Sequence, residues 1–302
     1  MPAALLQPAE LEALRRLQLR ARRRVATGGS GQHRARGHGS SLDFDDYRPY
    51  QPGDDPRRVD HHAHQRLGRL LVKLFEAEDE VGLQVVVDTS ASMAFGDKAT
   101  VACRLAAALA VTAVLGGDRV RLVTTDGADA VGPWQRGRPA VGATLARLTD
   151  VRDRLVATPP VPADAQRLEA EDPALAALRR CLPASGRGPV VLIGDLLTPG
   201  WADVVRLLGA GRAGGALVHV VGRDDLDPWL DDDPRLVDAD RGTEVDGAAT
   251  AAARRRFVER RDAWLDGVDA TAGAAGVTCL RVVDDLPVEA QILTLPRSGV
   301  VG

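Results

Sequence analysis

Two apolar runs in this chain end abruptly in oxygen-bearing side chains. Val85-Val86-Val87 runs into Asp88-Thr89-Ser90-Ala91-Ser92, and Val190 to Ile193 runs through Gly194 into Asp195. The first cluster delivers one carboxylate and two hydroxyls, two residues apart, from a single strand end; the second delivers one carboxylate. Such hard oxygen donors suit Mg²⁺ or Mn²⁺. Mg²⁺ demands an octahedron and gives up its waters reluctantly. Asp88, Ser90, Ser92 and Asp195, some acting through water, would therefore leave a coordination place open for a carboxylate from another molecule. The helix beginning just beyond Ser92 aims its amide dipole at the same place. Asp and Ser are also preferred helix N-caps, so a structural capping network answers the pattern equally well.

Elements able to position these groups alternate along the chain. Pro8 to about Val25 reads as a helix, with Leu11, Leu14 and Leu17 at near-helical spacing, and 26–41 as a Gly/Ser-rich linker. From Leu70 onward strands and helices take turns. LLVKLFEAE, LQVVVD, DRVRLVTTD, PVVLIGD, ALVHVVG and VTCLRVVDD read as strands. Lys98 to Leu115, 140–151, 173–182, 202–213 and 248–275 read as helices. Short strands are expected around Leu236 and Glu244, and a turn at Asp126. Continuous apolar runs such as VVVD and VVLIGD mark strands covered on both faces. Repeated strand-helix-strand order predicts an α/β fold: a doubly wound, mainly parallel sheet with helices on both faces. An N-terminal helix and a strand/loop extension precede it. In such sheets ligands bind beyond the carboxyl ends of the strands, where both polar clusters stand.

Composition narrows the function classes. The 302 residues are 45% hydrophobic and 27% charged, with a formal net charge of −3, which describes a globular chain and gives no reason to expect a nucleic-acid partner. The longest apolar run, Leu105 to Leu115, falls short of the roughly 18 residues a spanning helix needs, so no membrane span is expected. Cys103, Cys181 and Cys279 lie far apart and form no CxxC pair, which argues against zinc and for a reducing, cytoplasmic setting. The GGSG stretch lacks the Gly-Lys-Ser/Thr ending of a phosphate loop.

With these residues in place, a resemblance becomes visible. Asp88-Thr89-Ser90-Ala91-Ser92 resembles the DxSxS motif of von Willebrand factor A domains, in which it forms the metal-ion-dependent adhesion site. The flanking sequence DFDDYRPYQPGDDPRRVDHHAHQRLGRLLVKLFEAEDEVGLQVVVDTSASM resembles the signature of the bacterial domain-of-unknown-function family fifty-eight. Its elements are Arg48, Tyr50, Gly53 and Asp54, then Arg58 and Asp60, then Lys73, Phe75 and Glu78. The resemblance runs from about Ser40 to the C-terminus. It implies three parts: 1–41, the N-terminal helix and linker; 42–80, a signature extension packed on the core; and 81–302, a von Willebrand A-like domain. It also implies a MoxR-type AAA+ ATPase, or another protein supplying an acidic side chain, as partner. A full adhesion site adds a threonine from a middle loop, for which Thr144 and Thr158 are the candidates; where the next helix starts, the chain has Asp172. His61 stands where the family carries Trp.

The expected function is a non-enzymatic interaction module presenting a divalent cation. The alternatives are a metal-free scaffold and an Mg²⁺-dependent phosphotransferase or hydrolase using Asp88. The last lacks its usual parts: Ser90 stands where such enzymes carry a second carboxylate, and no lysine follows Lys98. His61, His62 and His64 lack metal-site spacing and read as a polar segment. Asp231 to Asp233 read as a solvated turn, and His219 as a core residue in mid-strand. Arg48, Tyr50, Gly53 and Asp54 are expected to build a tight turn.

Overall fold

A computed structural model describes residues 4–12, 14, 44–50, 66, 68–75, 82–125, 130–157, 172–182, 188–211, 214–228, 235–247, 250–286 and 288–292. The chain divides into two compact units, Met1–Gly29 with Val81–Gly302, and Ser30–Glu80. The N-terminal residues up to Gly29 therefore group with the large unit, where Leu5, Leu6 and Leu14 are buried.

The small unit holds β1 (Phe44–Pro49) and β2 (Leu71–Phe75), an antiparallel pair with Arg48 opposite Val72 and Pro49 opposite Leu71. The Tyr50 amide extends the ladder to the Leu70 carbonyl at 2.9 Å. Arg48 is thus a strand residue, and the turn that it is expected to help build lies beyond Tyr50, outside the described residues. Gly53, Asp54, Arg58, Asp60, His61, His62 and His64 lie outside the described residues, as do Asp126, Thr158 and Asp231 to Asp233.

In the large unit β3 (Gly82–Val87) leads through a 3₁₀ turn (Ala91–Ala94) into α1 (Lys98–Gly116) and β4 (Arg119–Thr124). Then come α2 (Arg138–Ala157), α3 (Pro173–Cys181), β5 (Val190–Gly194), α4 (Trp201–Gly209), β6 (Gly215–Val221) and the short α5 (Arg223–Leu226). A hairpin of β7 (Arg235–Val237) and β8 (Glu244–Asp246) precedes α6 (Ala251–Ala274), β9 (Thr278–Val283) and α7 (Val288–Ile292). The main sheet has five parallel strands in the order β4-β3-β5-β6-β9.

Strand residues alternate between two apolar layers, as the pleat requires. Val85, Val87, Val191 and Ile193 face the layer built by α1, α2 and the N-terminal leucines. Val86, Val190, Leu192 and Leu217 face the layer built by α3, α4 and α6. This explains why β3, β5 and β6 read as unbroken apolar runs: each is covered twice. α1 is long and apolar enough, by length and composition, to cross a membrane; here most of it is buried against the sheet and α2. Its alanines let it lie close to the strands, and Gly117 ends it in a left-handed conformation at φ 95°.

The chain leaves β3 toward β4 on one side, then returns to place β5 on the other. The crevice between the carboxyl ends of β3 and β5 is therefore the topological switch point, where open α/β sheets receive ligands.

Candidate functional site

Asp88 leaves β3 directly at this crevice. Its amide donates to the Ile193 carbonyl at 2.8 Å, so the parallel ladder itself sets the Asp88 backbone against Gly194. A Cβ on Gly194 would lie 2.6 Å from the Asp88 Cβ and 2.9 Å from its Oδ2, so only glycine lets the two strand ends approach this closely. Asp88 Oδ1 accepts the Ser90 amide at 3.0 Å and the Thr125 hydroxyl at 3.1 Å. Thr125, just beyond β4, also accepts the Thr89 amide at 2.8 Å, so one threonine fixes both ends of the turn.

The hydroxyls of Ser90 and Ser92 stand 3.0 Å apart. Neither caps the 3₁₀ turn with its side chain, and Asp97 does not cap α1. The capping network that the residue types allow is therefore not what these serines do. The two hydroxyls hydrogen-bond each other at this distance; two cis ligands of an octahedral Mg²⁺ at about 2.1 Å are also about 3.0 Å apart, so the same spacing would serve one octahedron edge. Asp88, Ser90, Ser92, Thr125, Asp172, Asp195, Thr198 and Asp240 line parts of one cleft of about 840 Å³.

Carboxyls crowd one part of it, and Arg154 and Arg241 line it as well. Burial, then the neighbouring Asp195, pushes the Asp88 carboxyl up to about 7, against the opposing pull of Ser90 and Thr125. Asp240 is also raised, chiefly by burial and further by Asp195. Its Oδ1 accepts the Ser92 amide at 3.1 Å. Crowded carboxylates in a partly dry cleft make the protonated form or a bound cation favourable. Among the described residues no three His, Cys, Asp or Glu side chains stand together closely enough to hold a metal alone. A cation here would depend on the hydroxyls and on water.

Asp195 is engaged elsewhere. Its Oδ2 takes Lys98 Nζ at 2.9 Å and its Oδ1 the Leu197 amide at 3.1 Å. Lys98 is 1% exposed and also bonds Asp225 Oδ2 at 2.9 Å. Burial pulls the ammonium down, but Asp195 and Asp225 outweigh it and leave the group raised. Leu196, the next residue, is buried with φ 55°, a conformation that bulky side chains rarely adopt and that marks a tightly determined bend. Behind it, the Asp195 carbonyl lies 3.1 Å from His219 Nε2. Burial, helped by Arg281, drives His219 down to about 4, so the ring is neutral and Nε2–H donates to that carbonyl. It meets Trp264 edge to face at 5.0 Å.

The structure thus brings Asp88, Ser90 and Ser92 together, with Asp195 close enough to repel Asp88 but paired to Lys98. Thr144 is not among the residues of the cleft. It falls on the inward stripe of α2 with Ala140, Leu148, Val151 and Leu155, and its hydroxyl donates to Gln135 Oε1 at 3.1 Å. Asp172 caps α3 through the amides of Ala174 and Leu175, and its other oxygen takes the Thr198 hydroxyl. Sequence reasoning missed Thr125, Gly194, Asp240 and the role of Lys98. Only Gly194 carried a local signal, a glycine inside an apolar strand end next to an acidic residue.

The family described as "Protein of unknown function DUF58" matches residues 46–264. An uncharacterized protein of Mycobacterium tuberculosis (strain H37Rv) is 30% identical over 280 residues, covering 90% of this chain and 84% of the relative. An uncharacterized protein of Mycobacterium bovis matches to the same extent. The crystal structure of the conserved hypothetical protein BatB from Bacteroides thetaiotaomicron is 13% identical and aligns with 73% of this chain and 100% of its own at a TM-score of 0.37. An aerotolerance-related membrane protein from Bacteroides fragilis, with multiple mutations to serine, is 16% identical over 72% of this chain and 98% of its own at 0.36.

Proposed function

The chain belongs to the DUF58 family, and from that premise we propose that it is a non-enzymatic, von Willebrand A-like interaction module of the cytoplasm. Asp88, Ser90 and Ser92 would hold Mg²⁺ or Mn²⁺, with Asp195 contributing through charge or a bridging water. The bound ion supplies a Lewis-acidic position that a carboxylate can occupy. Thr125 orients Asp88, Gly194 lets it reach the crevice, and the partner completes the site with an Asp or Glu. The family resemblance points to a MoxR-type AAA+ ATPase as that partner, in assembly or chaperone-like maturation.

One observation carries this reading: two serine hydroxyls that pair with each other at 3.0 Å instead of capping the turn, beside a carboxyl raised by burial and by Asp195. A second reading, the metal-free scaffold, draws support from Lys98, a built-in cation that already neutralises Asp195. Calorimetric titration with Mn²⁺ separates the two. The wild-type protein is expected to bind, and Asp88→Ala to bind at least tenfold more weakly while keeping its circular dichroism spectrum. Equally poor binding by both proteins would establish the scaffold instead. Co-purification with the MoxR-type ATPase of the same host should be lost in EDTA.

A further inference from the structure

The cleft already contains a carboxylate delivered from far along the chain. Asp240 sits in the turn between β7 and β8, 148 positions from Ser92, and its Oδ1 accepts the Ser92 amide at 3.1 Å. The Ala91 amide lies against it as well. The turn is shaped to present this one side chain. Asp238 Oδ1 accepts the amides of Asp240 at 3.0 Å and Arg241 at 2.9 Å. The Gly242 amide returns to the Asp238 carbonyl at 2.7 Å, with Gly242 in the left-handed region at φ 67°.

The strands on either side are three residues each, exposed along their length, and hydrogen-bond as strands only to one another among the described residues. A two-stranded ribbon of this kind has little stability of its own. Asp240 is also held against repulsion from Asp195. The turn therefore meets the cleft through Asp238, Asp240 and Arg241, of which Asp240 bonds the Ser92 amide, and its strands bury little apolar surface among the described residues.

Resting on the reading of this cleft as a carboxylate receiver, we propose that Asp240 is the resident occupant of the position a partner's carboxylate takes, and that the partner binds by displacing the β7–β8 turn. The geometry carries it: the same functional group sits on the same Asp88–Ser92 loop, on a hairpin small enough to move. The partner then needs a carboxylate on a short side chain carried by an exposed turn, as Asp240 is. Affinity for such a partner is set against the cost of releasing Asp240, so the free protein keeps its site shut.

Two measurements test this. In metal-free protein, hydrogen–deuterium exchange over residues 88–95 should be at least tenfold faster in Asp240→Ala than in wild type. In Mn²⁺-loaded protein, acetate serves as a minimal carboxylate probe, read by water-proton relaxation. It should reach the ion at tenfold or more lower concentration in Asp240→Ala than in wild type. Asp240→Asn, which keeps an acceptor without the charge, should retain part of the protection yet respond to acetate like Asp240→Ala. Equal exchange in all three proteins would show that no latch exists. Faster exchange with an unchanged acetate response would make Asp240 a turn anchor, refuting displacement while the metal reading stands. If none of the proteins binds Mn²⁺, the metal reading fails and displacement fails with it.

Discussion

Replacing Asp88 by asparagine should make the metal-free protein more stable at neutral pH, against the usual expectation for a residue at a candidate binding site. Asp88 is 8% exposed and its carboxyl is pushed from 3.8 to about 7 by burial and then by Asp195. That is a shift of about three units at 1.36 kcal/mol each, or about 4 kcal/mol. The sign follows from where the proton binds more tightly. A carboxyl raised on folding favours the native state below its unfolded value, near pH 4, and that advantage is lost as pH climbs to about 7, at about 1.4 kcal/mol per pH unit. The Asp88→Asn variant has no such group, and its amide oxygen can still accept from Ser90 and Thr125. The difference in unfolding free energy between variant and wild type should therefore grow with pH between 5 and 7 and level off above. Urea titrations in EDTA at pH 5, 6, 7 and 8 measure it. A divalent ion should narrow the gap at pH 8: at ten times its dissociation constant it stabilises wild type by about 1.4 kcal/mol and the variant by far less, which leaves the variant ahead by a smaller margin. A difference that stays flat from pH 5 to 8 in EDTA would refute the burial of an uncompensated charge at Asp88. Equal Mg²⁺ stabilisation of both proteins would refute its role as a ligand.

Lys98→Met should cost about 3–5 kcal/mol, because it strands Asp195 as a buried unpaired charge, and adding Asp195→Asn should recover part of the loss; chemical denaturation of the four proteins in the cycle gives the coupling. A loss under about 1 kcal/mol would mean that water reaches the pair. Gly194→Ala puts a Cβ 2.6 Å from that of Asp88 and should cost about 1–3 kcal/mol while weakening Mn²⁺ binding; an unchanged melting temperature would show that the strand ends have room to part.

Much of the architecture is legible in local pattern. Unbroken apolar runs such as Val85 to Val87 and Val190 to Ile193 identify doubly covered strands, since any residue on either face must be apolar. Their regular alternation with helices then forces a parallel sheet and puts Asp88 and Asp195 at the same edge. The short strands at Leu236 and Glu244 are readable from their turn-rich surroundings. That Arg48 lies in a strand is not legible locally, because turn-forming residues follow it and its pairing partner Val72 lies well downstream.

What the one-dimensional pattern determined is therefore the strand ends and the oxygen donors that leave them, because both depend on residues within a few positions of each other. Tertiary structure alone decided which groups face those donors. Thr125 reaches Asp88 across 37 positions, Lys98 reaches Asp195 across 97, and Asp240 reaches Ser92 across 148. Thr144, of a suitable type in a plausible stretch, was turned inward by the register of α2. Such meetings depend on strand order and on the path of connecting loops, which no spacing along the chain encodes.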